Sequence, residues 1–134
     1  MELDTNVWAG LAAGVAAMVP GSIIYAPKVL GAKWMKEVGL TKKDVEKGNP
    51  GQSMFLMLLT ALVSAQILTA IIYSLGASNI NDALTIAVLV SWLPISVNVS
   101  QVFFEKRTWT LTGINVLNHF LTYIVMGIVI GLFL

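Results

Sequence analysis

The stretch MFLMLLTALVSAQILTAIIYSL, residues 54–75, contains no charged side chain and is long enough to cross a lipid bilayer as a helix. Three other apolar runs have similar length, so the predicted spans cover residues 6–25, 54–75, 84–104 and 111–134. Hydrophobic residues make up 57% of the chain and mean hydropathy is +0.81. The sequence therefore predicts an all-α integral membrane four-helix bundle, formed as a single domain over residues 1–134.

The first apolar run lies at the amino end, where a secretory signal would also lie. The preceding residues, MELDT, contain no basic side chain, and the run is longer than the apolar core of a signal. We therefore expect a retained membrane span. The chain has no cysteine, so disulfides and thiolate metal sites are not expected.

Basic residues are confined to alternate loops. All eight fall between spans one and two or between spans three and four, at Lys28, Lys33, Lys36, Lys42, Lys43, Lys47, Lys106 and Arg107. The amino end and the link between spans two and three carry only acidic charges, Glu2, Asp4 and Asp82. The positive-inside rule predicts a cytoplasmic membrane protein with both termini outside and loop 26–51 in the cytoplasm. The lysines are expected to face anionic lipid headgroups rather than nucleic acid.

Loop 26–51 carries helix signals of its own. Leu30, Trp34 and Val38 recur every four residues, which predicts a short amphipathic interfacial helix that Gly39 ends. Tyr25 and Trp34 are expected at the membrane interface.

The rest of the loop contains two capping patterns. Thr41 and Asp44 form a capping-box pattern that predicts one further helical turn, closed by Gly48. The sequence Asn49-Pro50 has the pattern of an N-cap and first helical residue, which predicts that span two begins there.

Small residues mark expected helix contacts, because close backbone approach drives association in lipid. Gly10 and Gly14 on span one, and Gly127 and Gly131 on span four, have the GxxxG spacing. If the charge-based orientation holds, both pairs occupy the outer half of the membrane, where spans one and four could meet. Packing within the chain and self-association through these faces both remain open.

Polar side chains form a belt in the last two spans. Asn98 and Gln101 lie on span three, and Asn115, Asn118 and His119 lie on span four. The three span-four residues lie roughly 6–12 Å inside the membrane boundary that is next to the link between the two spans. Amides are costly in hydrocarbon, so the belt must turn toward partner helices or water. It is either hydrogen-bonded glue between helices or a polar ligand-binding site with a titratable histidine.

Catalytic and metal chemistry are not expected from this belt. The four spans carry no acidic side chain to pair with His119, and a single histidine falls short of the ligands that zinc requires. No glycine-rich phosphate loop is present. We therefore expect a protein without enzymatic activity, metal or cofactor.

Several segments together resemble a known family. They are Tyr25-Ala-Pro27, Leu30 to Met35, Gly39-Leu-Thr41, Phe104 to Arg107, and Ile114 to His119 followed by Met126-Gly127. This pattern resembles the small membrane proteins of domain-of-unknown-function family 1761, with Ile24, Leu117 and Asn118 as departures. The resemblance implies four spans and no particular activity.

Two functions fit these observations. The first is a small homo-oligomer that binds or passes a polar solute or ion through the Asn/Gln/His belt, because four spans alone enclose little space. The second is a structural or accessory subunit that docks onto a larger membrane complex.

Overall fold

The computed structural model describes residues 4–134, so Glu2, used above in the charge argument, lies outside the described residues. All regular structure in residues 4–134 is helical. The elements are α1 (Val7–Ala16), α2 (Met18–Ile24), a π-helical segment (Pro27–Gly31), α3 (Ala32–Val38), α4 (Lys42–Lys47), α5 (Pro50–Ser74), α6 (Ile80–Phe104) and α7 (Trp109–Gly131). Four helical segments are apolar and long enough to cross a membrane: Val7–Ile24, α5, α6 and α7. The prediction of an all-α four-span membrane protein is confirmed.

Capping side chains set where the long helices begin. The Asn49 side-chain oxygen accepts a hydrogen bond from the Gln52 backbone amide, and α5 begins at Pro50, four residues before the apolar run. Asn79 starts α6 in the same way. Thr108 starts α7. The helices therefore extend past the hydrophobic runs, because polar caps satisfy the first free amides and need no apolar neighbours.

The first span is interrupted at Ala17, which separates α1 from α2. Pro20 lacks an amide hydrogen and leaves the Ala16 carbonyl without its usual partner, so the break falls at the turn before the proline. Pro94 removes a backbone bond from α6, yet α6 continues through it as one helix.

Loop 26–51 is structured as predicted, with one addition. α3 ends at Gly39, whose φ of 79° is the left-handed conformation that favours glycine. The capping box of α4 is present in both directions between Thr41 and Asp44. The π-helical segment ahead of α3 was not predicted; at its end, a Cβ on Gly31 would collide with the backbone carbonyl of Tyr25. Glycine permits this tight passage from span one into α3.

The glycine pairs pack against helices other than those expected. Gly14 lies against α5, where an added Cβ would stand 2.8 Å from Leu62 Cα. Gly127 and Gly131 lie against α6, where added Cβ atoms would stand 2.7 Å from Ala87 Cβ and 2.7 Å from Ile80 Cα. Spans one and four do contact each other, but the idea that their glycine pairs meet is wrong. Each pair instead brings α1 onto α5 and α7 onto α6.

The link between spans two and three is short, which predicts that they are antiparallel neighbours, and the structure corrects this prediction. α6 packs chiefly on α7, and α5 packs chiefly on α1, whereas α5 and α6 make little contact with each other. The buried residues of α5 all lie in its second half, at Ala65, Leu68, Thr69 and Ile72. Residues 50–57 are all exposed. The short link keeps α5 and α6 close at one end, and the two helices diverge toward the other end.

The core occupies the half of the bundle opposite loop 26–51. It is built from small side chains and a few large ones, at Ala13, Ala17, Ala65, Leu68, Ile72, Ala83, Ala87, Met126 and Ile130. Leu68, Ile72, Met126 and Ile130 are almost completely buried. The half nearer the loop holds the candidate site.

Candidate functional site

A cleft of about 290 Å³ lies where α5 separates from the other helices. α7 contributes one wall and α5 faces it, while α2, with Ala17 just before it, and Pro94 of α6 supply the rest. The lining residues are Ala17, Met18, Gly21, Met57, Thr60, Ala61, Ser64, Pro94, Asn118, His119, Thr122, Tyr123 and Met126. Polar side chains from α5 and α7 therefore face one another across a cavity with mostly apolar walls.

Asn118 and His119 are the predicted belt residues that line this cleft. The side-chain oxygen of Asn118 is buried and has no hydrogen-bond partner within residues 4–134. A Cβ on Gly21 of α2 would stand 3.5 Å from Asn118 Oδ1, an ordinary contact distance, so this oxygen packs directly against α2. A buried amide oxygen without a partner is costly, and the Asn118 side chain would have to turn toward the cleft for this oxygen to accept a hydrogen bond from a ligand.

Asn115 belongs to a different contact, one turn nearer the loop. The Tyr25 hydroxyl donates a hydrogen bond of 2.9 Å to Asn115 Oδ1. The Tyr25 ring meets Trp34 edge to face, with centroids 5.4 Å apart. Tyr25 and Trp34 thus join span one and α3, and Asn115 ties both to α7.

A second hydrogen bond fastens α3 to α7. The Thr108 hydroxyl donates to Glu37 Oε2 at 2.6 Å and also accepts from the Leu111 amide as the N-cap of α7. Thr108 therefore caps α7 and also holds α3 against the first turn of α7. These contacts keep the interfacial helix on the loop side of the cleft.

Asn98 and Gln101 lie outside the cleft. The Asn98 amide donates 2.9 Å to the Pro94 carbonyl of its own helix. Gln101 lies in the last turn of α6, where its backbone carbonyl accepts a hydrogen bond from the Glu105 backbone amide. The structure therefore brings Asn118 and His119 together, and it leaves Asn98, Gln101 and Asn115 with other contacts.

Sequence reasoning did not include several of the lining residues among the candidate site residues. Ser64 and Thr60 on α5, and Thr122 and Tyr123 on α7, add hydroxyls to the cleft. The spacing of Asn115, His119 and Thr122 on one face of α7 was a usable signal for Thr122. No such signal pointed to Ser64, because its role follows from the divergence of α5 from α6.

Comparison with known proteins gives one family. The family profile described as "Protein of unknown function (DUF1761)" matches residues 8–131. Neither the curated proteins nor the solved structures include a match.

Proposed function

We propose that this chain, which belongs to the protein-of-unknown-function family DUF1761, is a multi-pass membrane protein that binds a small ligand inside the membrane. The observation that carries this proposal is the cleft of about 290 Å³ in which the Asn118 oxygen is buried, without a partner among the described residues, beside His119. Such a cavity, with apolar walls and a few convergent polar groups, is the usual form of a ligand site.

Binding is better supported than passage. Beyond the cleft, Leu68, Ile72 and Ile130 fill the other half of the bundle and are almost completely buried, as is Met126 at the boundary with the cleft. An ion or polar solute crossing one chain would have to pass this apolar core, where each desolvated polar group costs several kcal/mol. Passage would therefore need surfaces from further copies, and the homo-oligomer expected from the sequence stays part of this proposal.

The proposal is for a binding protein and not for an enzyme. His119 lines the cleft with Tyr123, hydroxyls and amides, and no carboxylate lies in the part of the lining that the structure describes. Neutral imidazole offers one donor and one acceptor, which suits ligand recognition without any proton-transfer partner.

The orientation is proposed from charge. All eight basic residues fall in loop 26–51 and the link between α6 and α7, so both are assigned to the cytoplasm, with the termini outside. In the cytoplasmic membrane, the lysines of loop 26–51 would lie against anionic headgroups. The cleft, which lies in the loop half of the bundle, would then occupy the cytoplasmic leaflet.

Non-denaturing mass spectrometry of the protein released from its membrane tests the proposal. We expect the chain to carry a bound small molecule, and Asn118→Leu to reduce its occupancy about fivefold, the worth of roughly one intramembrane hydrogen bond. Asn81→Leu is the matched control, because Asn81 is exposed and lies outside the cleft.

Two results would count against ligand binding. One is an equal bound mass in the wild type and both variants, which would place the molecule elsewhere. The other is recovery of the chain without any bound molecule but with an unrelated protein in fixed ratio. That second outcome would favour an accessory subunit of a membrane complex.

A further inference from the structure

We infer that the ligand is an uncharged, single-chain amphiphile that enters the cleft sideways from the bilayer, between α5 and α6. Its head group would donate a hydrogen bond to Asn118 and contact His119, and its chain would lie along the gap between the two helices. This inference rests on the ligand-binding function proposed above, and it names the chemical class of the ligand.

The direction of entry follows from how α5 is packed. Residues 50–57 of α5 are all exposed, and α5 makes little contact with α6. Met57 and Thr60, which line the cleft, are themselves exposed. The side of the cleft between these helices is therefore open along its length, at a depth where the surroundings of a membrane protein are lipid chains.

The lining divides into a polar part and an adaptable apolar part. Ser64, Asn118 and His119 supply hydrogen-bonding groups. Three methionines, Met18, Met57 and Met126, supply apolar wall from three different helices. Methionine is flexible and polarizable, so it conforms to a mobile chain better than branched side chains do. An amphiphile satisfies both parts, whereas a wholly polar solute would leave the methionine wall in contact with its polar surface.

Charge and size narrow the head group. The described lining contains no lysine, arginine, aspartate or glutamate to pair with a charged head, and an unpaired charge at this depth is expensive. A hydroxyl or amide head can instead form hydrogen bonds with the Asn118 side chain, which lines the cleft. The volume of about 290 Å³ equals roughly ten water molecules, which accommodates a head and the start of a chain.

Ser64 adds a further hydroxyl to the cleft. Three serines of α6, Ser91, Ser96 and Ser100, donate to the carbonyl three residues earlier in their own helix. Within residues 4–134, Ser64 makes no such bond, although it also lies inside a helix. Its hydroxyl faces the cleft opposite α7 and can contact the same head group as His119.

Photo-crosslinking tests the ligand class directly. The full chain is reconstituted in phosphatidylcholine vesicles with a monoacylglycerol that carries a diazirine in its chain, and labelled positions are mapped by peptide mass spectrometry. We expect label on Met18 and Met57, displaced by unlabelled monoolein. Oleate, which is anionic at alkaline pH, lacks the uncharged head group, and glycerol lacks the apolar chain. Each should therefore displace the label at least about fivefold less well than monoolein does.

Variants separate the cleft from the general lipid surface. Ser64→Val and Asn118→Leu should each lower specific labelling about fivefold, the effect of one lost intramembrane hydrogen bond. Ser96→Val is the matched control for Ser64, because Ser96 is exposed on α6 outside the cleft, and it should label like the wild type.

The outcomes distinguish this inference from the proposed function. Label spread evenly over the exposed helix faces, or equal displacement by glycerol or by oleate, would overturn the amphiphile. If Asn118-dependent binding still appears by mass spectrometry, the ligand-binding function stands and the ligand class is wrong. Loss of both signals would end both proposals.

Discussion

At the scale of single residues, three asparagines of the same membrane belt have three different environments. Asn98 donates to its own helix at Pro94, and Asn115 accepts from Tyr25. Asn118 keeps a buried oxygen without a partner among residues 4–134. The cost of an amide in hydrocarbon is thus met within the helix for Asn98, met across helices for Asn115, and not met for the Asn118 oxygen among residues 4–134. The first two side chains have structural roles, and Asn118 is the residue that we propose as a binding group.

The bond between Tyr25 and Asn115 gives a prediction for stability. Tyr25→Phe removes the donor hydroxyl, and Asn115→Leu removes the acceptor. The two substitutions should show a coupling of about 1 kcal/mol or less in a double-mutant cycle, the usual worth of such a bond in a membrane protein. The measurement is reversible unfolding in mixed detergent. Strictly additive losses would show that the 2.9 Å contact contributes nothing.

The depth of these residues could be predicted from sequence, but their partners could not. A rise of 1.5 Å per residue places Asn115, Asn118 and His119 at neighbouring depths in any straight helix. Tyr25 is 90 positions away from Asn115, so their contact depends on how span one packs against α7. The burial of the Asn118 oxygen likewise depends on packing against α2, where Gly21 is its neighbour on another helix.

At the scale of elements, local capping signals proved the most reliable part of the sequence. The capping box of α4, the N-cap of α5 and the glycine end of α3 were all predicted and are confirmed. Each depends on residues within about four positions of one another. The π-helical segment at Pro27–Gly31 was not predicted. Its tight turn depends on the position of Tyr25 and on the packing of α3 against α7, which the local sequence does not specify.

Two glycines of α7 make a matched pair for testing helix contact. Gly127 faces α6, where an added Cβ would stand 2.7 Å from Ala87 Cβ and 3.3 Å from the Ala83 carbonyl. Gly127→Ala should therefore destabilise the fold by about 1–3 kcal/mol, the usual cost of overpacking. Gly113 has no atom of the described chain within 4 Å of such a Cβ.

The control is Gly113→Ala, which should be neutral or stabilising by up to about 1 kcal/mol, because alanine favours a helix more than glycine does. Detergent unfolding of both variants, read by circular dichroism, checks the pair. Equal destabilisation at the two positions would mean that the loss comes from glycine itself and not from contact with α6.

The capping box of α4 predicts a dependence on pH. Hydrogen bonds from the Thr41 hydroxyl and amide lower the pKa of Asp44. A lowered carboxyl pKa means that the stabilisation is present above the ordinary pKa and is lost as pH falls through the lowered value. The protection factors of the amides of residues 42–47, which compare each exchange rate with that of an unstructured peptide at the same pH, should fall on that descent, and Asp44→Asn should lower them already at pH 7. Unchanged protection in the variant would remove the carboxylate from the cap.

At the scale of the whole molecule, the two ends of the bundle differ. Opposite loop 26–51, Tyr73 accepts from Asn6 and donates to the Phe133 carbonyl, so α5 is tied to both chain ends beside the packed core. At the loop end α5 leaves its neighbours and the cleft forms. Sequence order suggested that spans joined by a short link would pack together. Small residues decided otherwise, because Gly14 and Gly127 let α1 and α7 approach α5 and α6 more closely.

The leaflet that the cleft faces depends on how the chain is threaded through the membrane, and this threading can be tested directly. The native chain has no cysteine, so Lys42→Cys in α4 and Asn79→Cys in the link before α6 each introduce a single thiol at an exposed position. An impermeant maleimide added to intact cells should label Asn79→Cys and not Lys42→Cys; after permeabilisation both should react. The positive-inside rule sets this order, because every lysine and arginine belongs to the side of Lys42. Labelling of both thiols in intact cells would place the two loops on one side and reduce the number of crossings. Labelling of Lys42→Cys alone would keep four spans but move the cleft to the outer leaflet, where a ligand would come from the opposite lipid pool.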